Sequence, residues 1–432
     1  MFKRLILLIS ILFLSWCNMA ISKDIYTVDK AVNEAISNSY IIKEAIQNQK
    51  AALNQYRSSV SDLFPKVNFS YNYTYLKDYP YSISNEHKIK VGEKKSVEWN
   101  ITITQPIFTG FAIITKKEIA KLGLNISRLE RKKAILDVAQ NVKIAYMKIL
   151  LAKKYLKVAE EEVKNLKAHV KDAKNLYDTG VIAYNDLLKS QVALSNAIQT
   201  KINAENNLKL AISSFNLALR KNINADTDVE DILSIKPHNY SLNNLIKQAM
   251  QKRPILQELK LQLKQSRLGI RLAKSEYYPQ ISAFAQYKKT GRDILANKND
   301  LSNKHNSMVG IQMNWKIFEF GKRSFNTQEQ YHKTLALKEK INSIKDNIKL
   351  EVKQSFLDLD SARHNIKVAQ DALKQAKENY RITTLQYQQQ ITTSTEVLDA
   401  NSYLTQAETN YYNALYGYYV ALAKLKRTIG EK

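Results

Sequence analysis

The chain contains two similar halves, and this duplication constrains its fold more than any other feature of the sequence. Phe64–Val67 (FPKV) has a counterpart in Tyr278–Ile281 (YPQI), and Tyr177–Leu188 (YDTGVIAYNDLL) returns 210 residues later as Tyr387–Leu398 (YQQQITTSTEVL). Self-similarity at a fixed spacing is typical of tandem structural repeats. We therefore expect an α+β chain made of two internal repeats, each with an initial helical segment, two short strands and two very long helices.

Helix breakers are scarce in both halves, because the 432 residues include only 10 glycines and 6 prolines. No proline occurs within 107–236 or 280–432, so both stretches can continue as helix. Within 135–177, apolar or aromatic residues follow one another at spacings of three and four, which indicates a coiled-coil seam. The pattern predicts long helices over 111–178, 183–220, 321–388 and 394–429.

The other predicted elements precede the long helices in each repeat. The first repeat is predicted over 23–220 and the second over 241–432, with a connector over 221–240. The initial helices are predicted over 27–60 and within 241–276. Strands are predicted over 66–75, 96–107, 280–289 and 307–318.

Apolar and polar residues alternate in the four predicted strands. Each run has about the 9–11 residues that a tilted transmembrane strand requires, with apolar side chains facing lipid and polar side chains facing inward. Aromatic residues on these strands are expected to lie at the membrane interfaces. They are Tyr71, Tyr73, Tyr75, Trp99 and Trp315. The polar segments 77–95 and 290–306 then become external loops.

Four strands are too few to close a barrel, and open sheet edges are not tolerated in lipid. The edges must therefore pair with further copies of the chain. Three copies give twelve strands, an even number within the range of outer-membrane barrels.

The N-terminal residues predict export from the cytoplasm. Two basic residues, an apolar run and the small-residue site Ala20-Ile21-Ser22 indicate a signal peptide over 1–22. Cys17 is the only cysteine and lies inside this segment, so the mature chain has no thiol for a disulfide or a metal site. Trp16 is not the small residue that lipidation of Cys17 requires.

The sequence contains no recognisable catalytic motif. It has no HExxH zinc motif, phosphate-binding loop, GxGxxG fingerprint or nucleophile elbow. The formal net charge of +26 would suggest nucleic acid in a cytosolic protein. Here the basic residues are mixed with acidic ones along helical faces, and the chain carries an export signal. We predict no catalytic residue, no metal site, no cofactor and no nucleic-acid partner.

Six short motifs, in this order and with this duplication, make the chain similar to a known family. They are Gln105–Phe108 (QPIF), Tyr177–Gly180 (YDTG), Lys252–Pro254 (KRP), Tyr278–Ile281 (YPQI), Trp315–Gly321 (WKIFEFG) and Glu396–Ala400 (EVLDA). The chain resembles the TolC family of outer-membrane efflux proteins over essentially its whole mature length. The resemblance implies a homotrimer with a twelve-stranded barrel in the outer membrane, continuous with a twelve-helix coiled-coil tunnel through the periplasm. It also implies two partners, a periplasmic adaptor and an inner-membrane transporter, which use the channel for efflux or type I secretion.

The resemblance places a gated periplasmic mouth at the helical tips. Glu396 and Asp399 match the paired acidic residues that form rings at the narrowest point of the closed channel. Asp186 and Tyr387 match a hydrogen-bonded pair that holds the mouth closed. Asn185 and Thr392 complete the gate, and Thr392 stands where the family has an arginine. From the residues alone, Glu396 also fits a capping box beginning at Thr393, Asp186 a helix-start acid, and Asp399 a solvated helix face.

The same resemblance assigns adaptor contacts to the two tip turns. The residues are Tyr177, Thr179, Gly180, Val181, Gln390 and Ile391, and Gln390 stands where the family often has glycine. The predicted function is a passive exit duct for cargo delivered by a pump and adaptor. Drug efflux and protein secretion are not separable from this chain, because the partners select the cargo. Two other classes fit parts of the sequence: a coiled-coil structural protein of the envelope fits the long helices, and a basic nucleic-acid binder fits the net charge.

Overall fold

The computed structural model describes residues 24–84, 87–232, 240–299 and 303–432. The predicted signal peptide over 1–22, with Cys17, lies outside the described residues, as does 233–239 of the predicted connector. The chain divides into two compact units. The first comprises residues up to 45 together with 131–254 and 345–432, and the second comprises 46–130 and 255–344.

Helices dominate the described residues, and eight strands accompany them. In chain order the elements are β1 (Asp24–Tyr26), α1 (Val28–Asn38), α2 (Tyr40–Ser61), β2 (Lys66–Tyr75), β3 (Tyr81–Ser84), β4 (His87–Lys90), β5 (Lys95–Thr109), α3 (Ala112–Asp178), α4 (Tyr184–Leu219), β6 (Thr227–Val229), α5 (Leu242–Lys252), α6 (Pro254–Lys274), β7 (Gln280–Gly291), β8 (His305–Asn314), α7 (Lys322–Gln388) and α8 (Ser394–Thr428). A short 3₁₀ turn at Ser275–Tyr277 follows α6. Among the described residues, no helix combines the length and apolar character needed to cross a bilayer.

Two predicted helical segments are each divided in the structure. The segment 27–60 consists of α1 and α2, which are separated at Ser39, where ψ is 126°. The segment 241–276 consists of α5, α6 and the 3₁₀ turn, and Arg253 between the helices has ψ of 123°. A residue before proline is driven away from the helical conformation, and Pro254 follows Arg253. More than one helix was predicted within 241–276, with Lys252-Arg253-Pro254 opening the second, and the structure begins α6 at Pro254.

The strand predictions require three corrections. The strand predicted over 307–318 runs from His305 to Asn314, so Trp315 lies just beyond its end. The strand predicted over 96–107 is longer, Lys95–Thr109, and its register shifts between Pro106 and Phe108 because proline has no N–H for the ladder. The segment 77–95, expected to be a loop, contains the antiparallel pair β3 and β4.

The second unit contains a four-stranded antiparallel sheet in the order β2-β5-β7-β8. Because β2 and β8 are the outer strands, each has one edge without a partner in the described chain. Cross-strand pairing places the apolar residues on one face, in rows such as Val67, Ile103, Ala285 and Val309. The opposite face is polar, and its side chains pair across the strands through Lys288 with Glu98 (2.5 Å) and Gln286 with Thr102 (2.9 Å).

The apolar face of the sheet is open to its surroundings in the single chain. Val309 is 84% exposed and Val67 is 66% exposed. Exposed apolar patches on one face of a sheet mark a surface that contacts another apolar phase or partner.

The coiled-coil seam is buried in the first unit along α3. Val138, Val142, Ile149, Ala159 and Val163 all belong to the seam, and each is buried. The seam positions of α7 behave differently, because most of them, such as Ile366 and Leu373, are only half-buried. Alternating small and large residues allow close helix packing at the buried positions.

Backbone positions with positive φ recur at the spacing of the sequence duplication. Four pairs are 210 residues apart, and in each pair one member is glycine. The pairs are Gly110 with Phe320, Phe111 with Gly321, Gly180 with Gln390, and Arg220 with Gly430. Ala296 also has a positive φ and has no counterpart of this kind. The two halves therefore make the same turns with different residues. Because positive φ costs energy for every residue except glycine, one half has a strained residue where the other has none.

Candidate functional site: the helical tips

Two tight turns in the first unit end one long helix and begin the next. In the first turn, the Gly180 N–H donates to the Tyr177 carbonyl (2.8 Å) and the Val181 N–H to the Leu176 carbonyl (2.8 Å). The second turn repeats this pattern around Gln390, which donates to Tyr387 (2.9 Å). A 6→1 bond enclosing a 5→2 bond is the Schellman arrangement, which requires a left-handed residue after the helix. Gly180 and Gln390 occupy that position.

The residues predicted to contact an adaptor form the exposed surface of these turns. All six, Tyr177, Thr179, Gly180, Val181, Gln390 and Ile391, are exposed in the single chain. The aromatic rings of Tyr177 and Tyr184 lie 5.2 Å apart across the first turn. Ile391, which is 73% exposed, gives the second turn an apolar tip. The exposed surface of the two turns therefore combines apolar and aromatic side chains with the polar Thr179 and Gln390.

Helix α8 begins with a capped turn that carries the two acidic residues. The Thr393 hydroxyl accepts the Glu396 N–H at 3.4 Å, so the capping interaction expected from the sequence uses the Glu396 backbone. The Glu396 and Asp399 side chains are both exposed. Residues three apart share one face of a helix, so the two carboxylates lie on the same side of α8.

The predicted pair Asp186 and Tyr387 does not form a hydrogen bond within the chain. The half-buried Asp186 carboxylate is paired with Lys189 at 3.5 Å. The Tyr387 hydroxyl is buried and makes no hydrogen bond of normal geometry to any described residue. Burial raises the pKa of Tyr387; the nearby Ser394 hydroxyl opposes this shift, and the Asp186 charge adds to it. Thr392 is half-buried and Asn185 is exposed.

The structure adds three buried residues to this site that the sequence did not indicate. His169 Nε2 in α3 lies 2.8 Å from Ser394 Oγ in α8, and Ser190 Oγ in α4 lies 3.0 Å from the same oxygen. The ring of Tyr387 from α7 packs 4.9 Å from the His169 ring. The four long helices therefore meet at one buried polar cluster. No sequence signal identifies it, because His169 is outside the coiled-coil seam and the serines resemble ordinary helix-surface residues.

Two segments of the chain, residues 31–219 and 245–431, match the model of the outer membrane efflux protein family. The chain belongs to this family. It is 21% identical to outer membrane protein TolC of Escherichia coli (strain K12) over 410 residues, which cover 91% of this chain and 80% of that protein. It is 20% identical to TolC of Vibrio cholerae over 407 residues, covering 92% and 89%. The efflux protein is thus a protein of the outer membrane.

Solved structures of channels have the same fold as this efflux protein. The CmeC outer membrane channel of Campylobacter jejuni gives a TM-score of 0.80 at 15% identity, covering 93% of this chain and 85% of that one. The open-state MtrE outer membrane channel of Neisseria gonorrhoeae gives 0.75 at 16% identity, covering 94% and 89%. The arrangement of long helices and a four-stranded sheet is therefore that of TolC-like efflux channels.

The aromatic residues predicted at the membrane interfaces lie on or beside the sheet of the efflux protein. Trp99 packs between Phe69 (6.3 Å) and Tyr287 (5.6 Å), with the distances taken between ring centres. The Tyr71 hydroxyl donates to the Ile294 carbonyl at 3.0 Å. Trp315 follows the end of β8, where its indole N–H donates to the Tyr277 carbonyl at 3.1 Å. Tyr73 and Tyr75 are exposed.

The described residues contain no cluster of three or more His, Cys, Asp or Glu side chains that is arranged to hold a metal ion. Within one chain, Glu396 and Asp399 are only two carboxylates. The tips present exposed turns that include the apolar Val181 and Ile391, and beside them a helix face with two carboxylates.

Proposed function

We propose that three copies of this efflux protein form the outer-membrane exit duct of a tripartite efflux or type I secretion system. Cargo would pass from an inner-membrane pump, through a periplasmic adaptor, into the helical tunnel and out through a barrel. The duct itself would be passive, because the pump supplies the energy. Each chain would form one third of the wall of the duct. Within a chain, each of the two sequence repeats would supply two strands and two long helices.

The observation that carries this proposal is the open sheet. Strands β2 and β8 each have an unpaired edge, and the apolar face between them is exposed, with Ile311 at 73%. In lipid every backbone polar group needs a partner, and only a closed barrel provides one for all strands. Pairing β8 of one copy with β2 of the next would satisfy both edges. The apolar face then meets lipid, and the polar face containing Glu98 and Lys288 lines the lumen.

The helices supply a second, independent argument for association. Along α7, seam residues such as Ile366 and Leu373 are only half-buried, and Val368 is 67% exposed. Most positions of the corresponding seam of α3 are buried, although Leu156, the counterpart of Ile366, is half-buried. A coiled-coil seam is stable when a facing helix covers it. In the trimer, helices of the neighbouring copy would cover the α7 seam.

We place the gate and the adaptor contact at the tips. The exposed turns around Gly180 and Gln390 would receive the adaptor, and Asn185, Asp186, Tyr387 and Thr392 would hold the mouth closed. In a trimer, Glu396 and Asp399 would contribute six carboxylates around one axis. A ring of carboxylates favours cations and binds multivalent cations, which would block the channel.

The proposal is tested on the purified mature chain. We expect a trimeric mass in detergent and, in planar lipid bilayers, a cation-selective conductance that multivalent cations block from the tip side. A protein that stays monomeric, or that remains in the aqueous phase without detergent, would refute the duct. An envelope scaffold would form coiled-coil assemblies with no conductance. Loss of pump-dependent export in a deletion strain, restored by this chain, would show which cargo class passes through.

A further inference from the structure

The buried cluster at the tips has a defined hydrogen-bond direction. The Ser190 hydroxyl donates to the Asp186 carbonyl at 2.9 Å, so its single proton is already used. Ser394 must therefore donate to Ser190, and its own oxygen must accept from His169. The chain of bonds runs from His169 Nε2–H through both serines to the Asp186 backbone. It requires a proton on Nε2 of His169, so a neutral imidazole must be the Nε2–H tautomer at this position.

Burial of the cluster makes a second proton on the His169 imidazole unfavourable. His169 is 5% exposed, Ser394 is 3% exposed and Tyr387 is 2% exposed, so water has little access to the ring. A second proton, on Nδ1, would put a charge inside the junction of four helices, which is costly.

The charged groups around the ring do not offset this cost. Asp172, one turn along α3, is the nearest favourable charge, but its carboxylate accepts a hydrogen bond from Gln388 at 3.2 Å. Asp186 on α4 is paired with Lys189, and Glu396 on α8 is exposed. On α7 the titratable group that faces the ring is Tyr387, which is neutral in the pH range where histidine titrates. Burial accordingly lowers the pKa of His169, although Asp172 opposes the shift.

We propose that His169 is a proton-sensitive latch of the periplasmic mouth, such that protonation at Nδ1 loosens the four-helix junction and opens the duct. The inference rests on the proposed function, since it assigns a trigger to the same gate. The mouth would stay closed while His169 is neutral, that is, at a pH above the ordinary histidine pKa of about 6.5. Its contribution to the closed state is lost as the pH falls through the lowered pKa of the packed ring.

The first test measures channel conductance in planar bilayers between about pH 7.5 and about pH 5.5, the range in which histidine titrates. For the wild type we expect the mean current to rise about threefold or more, because each of the three chains contributes one titrating His169 and each coupled proton can shift the equilibrium by up to about tenfold per pH unit. His169→Gln keeps an N–H donor but cannot be charged, and it should abolish the rise. His364→Gln, at an exposed histidine of α7, is the matched control and should behave as wild type.

The second test does not depend on conductance. Ala173→Cys, four residues from His169 and fully buried, reports opening through its rate of reaction with a maleimide. The rate is divided by that of an exposed Gln389→Cys in the same pH series. We expect the ratio to rise in acid, and to stay constant when His169→Gln is added.

The two readouts separate the two proposals. A His169-dependent change in labelling without conductance supports the latch and refutes the duct. If His169→Gln does not change the acid response of the conductance or of the labelling, the latch is wrong. The proposed duct is unaffected by that result. If acid changes neither readout in the wild type, the latch is also wrong.

Discussion

Gly180 and Gln390 occupy equivalent left-handed positions in the two tip turns, with φ of +77° and +63°. Both lie directly beyond a long helix and close the same pair of backbone hydrogen bonds. Only glycine adopts this conformation without a steric cost. The second tip therefore contains a strained residue at the point where the first has none.

Replacing this residue should stabilise the protein. We expect Gln390→Gly to increase stability by about 1 kcal/mol, because the left-handed conformation costs a non-glycine residue roughly 1–2 kcal/mol and glycine recovers part of it in the folded state. The measurement is the thermal unfolding midpoint in detergent. Gln389→Gly, directly after α7 where the N–H still donates to the Leu385 carbonyl at 3.1 Å, is the control and should lower the midpoint. Equal effects of the two variants would contradict the assignment of strain to position 390.

The ion pair between Arg253 and Glu351 should be one of the strongest single contacts in the first unit. Both guanidinium ends bond to the carboxylate, at 2.7 Å and 3.3 Å, and the Arg253 side chain is buried. Glu351→Gln should cost about 1–3 kcal/mol, because the buried cation loses its charged partner. Glu378→Gln removes an exposed pair with Arg381 and should change the stability far less, because solvent screens a surface ion pair. Chemical unfolding of the two variants, side by side, checks the difference.

Charge on the two faces of the sheet should have opposite consequences. Val309 lies on the apolar face, and Val309→Arg should cost about 2–4 kcal/mol if this face meets the middle of the bilayer. Gln312 lies on the polar face of the same strand, and Gln312→Arg should be tolerated. The measurement is the amount of trimer in the outer-membrane fraction. Normal assembly of Val309→Arg would mean that lipid does not contact this face.

The acidic face of α8 should determine ion selectivity. Neutralising both residues with Glu396→Gln and Asp399→Asn should reduce cation selectivity and weaken block by multivalent cations, because the counter-charge is lost. Single-channel reversal potentials and blocker titrations give the result. The double variant Glu378→Gln and Asp371→Asn removes two exposed charges from α7 and serves as the control. A selectivity change equal in both double variants would place the constriction elsewhere.

Removing the Asp186 carboxylate should make the mouth leak. In the single chain this group pairs with Lys189, and its charge acts on the buried Tyr387 hydroxyl, which lies near Ser394 without a hydrogen bond of normal geometry. Asp186→Ala should raise the resting conductance, since the closed state loses an interaction at the junction of the helices. Lys189→Ala, which removes only the partner on the helix surface, should have a smaller effect. An unchanged resting conductance in Asp186→Ala would remove this residue from the gate.

Most local features of the chain were predictable from residue order. The absence of proline from 107–236 and 280–432 indicated where helices of 67 residues can form. Heptad spacing indicated the seam of α3, most of which is buried. Alternation with a period of two identified the strands and their apolar face. The ends of elements were less predictable. Strand β8 ends at Asn314, whereas the sequence pattern predicted an end at 318. The prediction was too long because apolar and polar residues continue to alternate beyond the last cross-strand pair.

The sequence by itself determined the duplication, the helical and strand periods and the membrane-length strands, because these depend on contacts between near neighbours. Tertiary structure alone decided which polar residues meet. His169, Ser190 and Ser394 come from three helices and are separated by as many as 225 residues, so no local pattern relates them. It also decided that Asp186 pairs with Lys189 rather than with Tyr387 in the single chain. Hydrogen bonding and burial at such a junction depend on how whole helices pack, and that is a property of the fold.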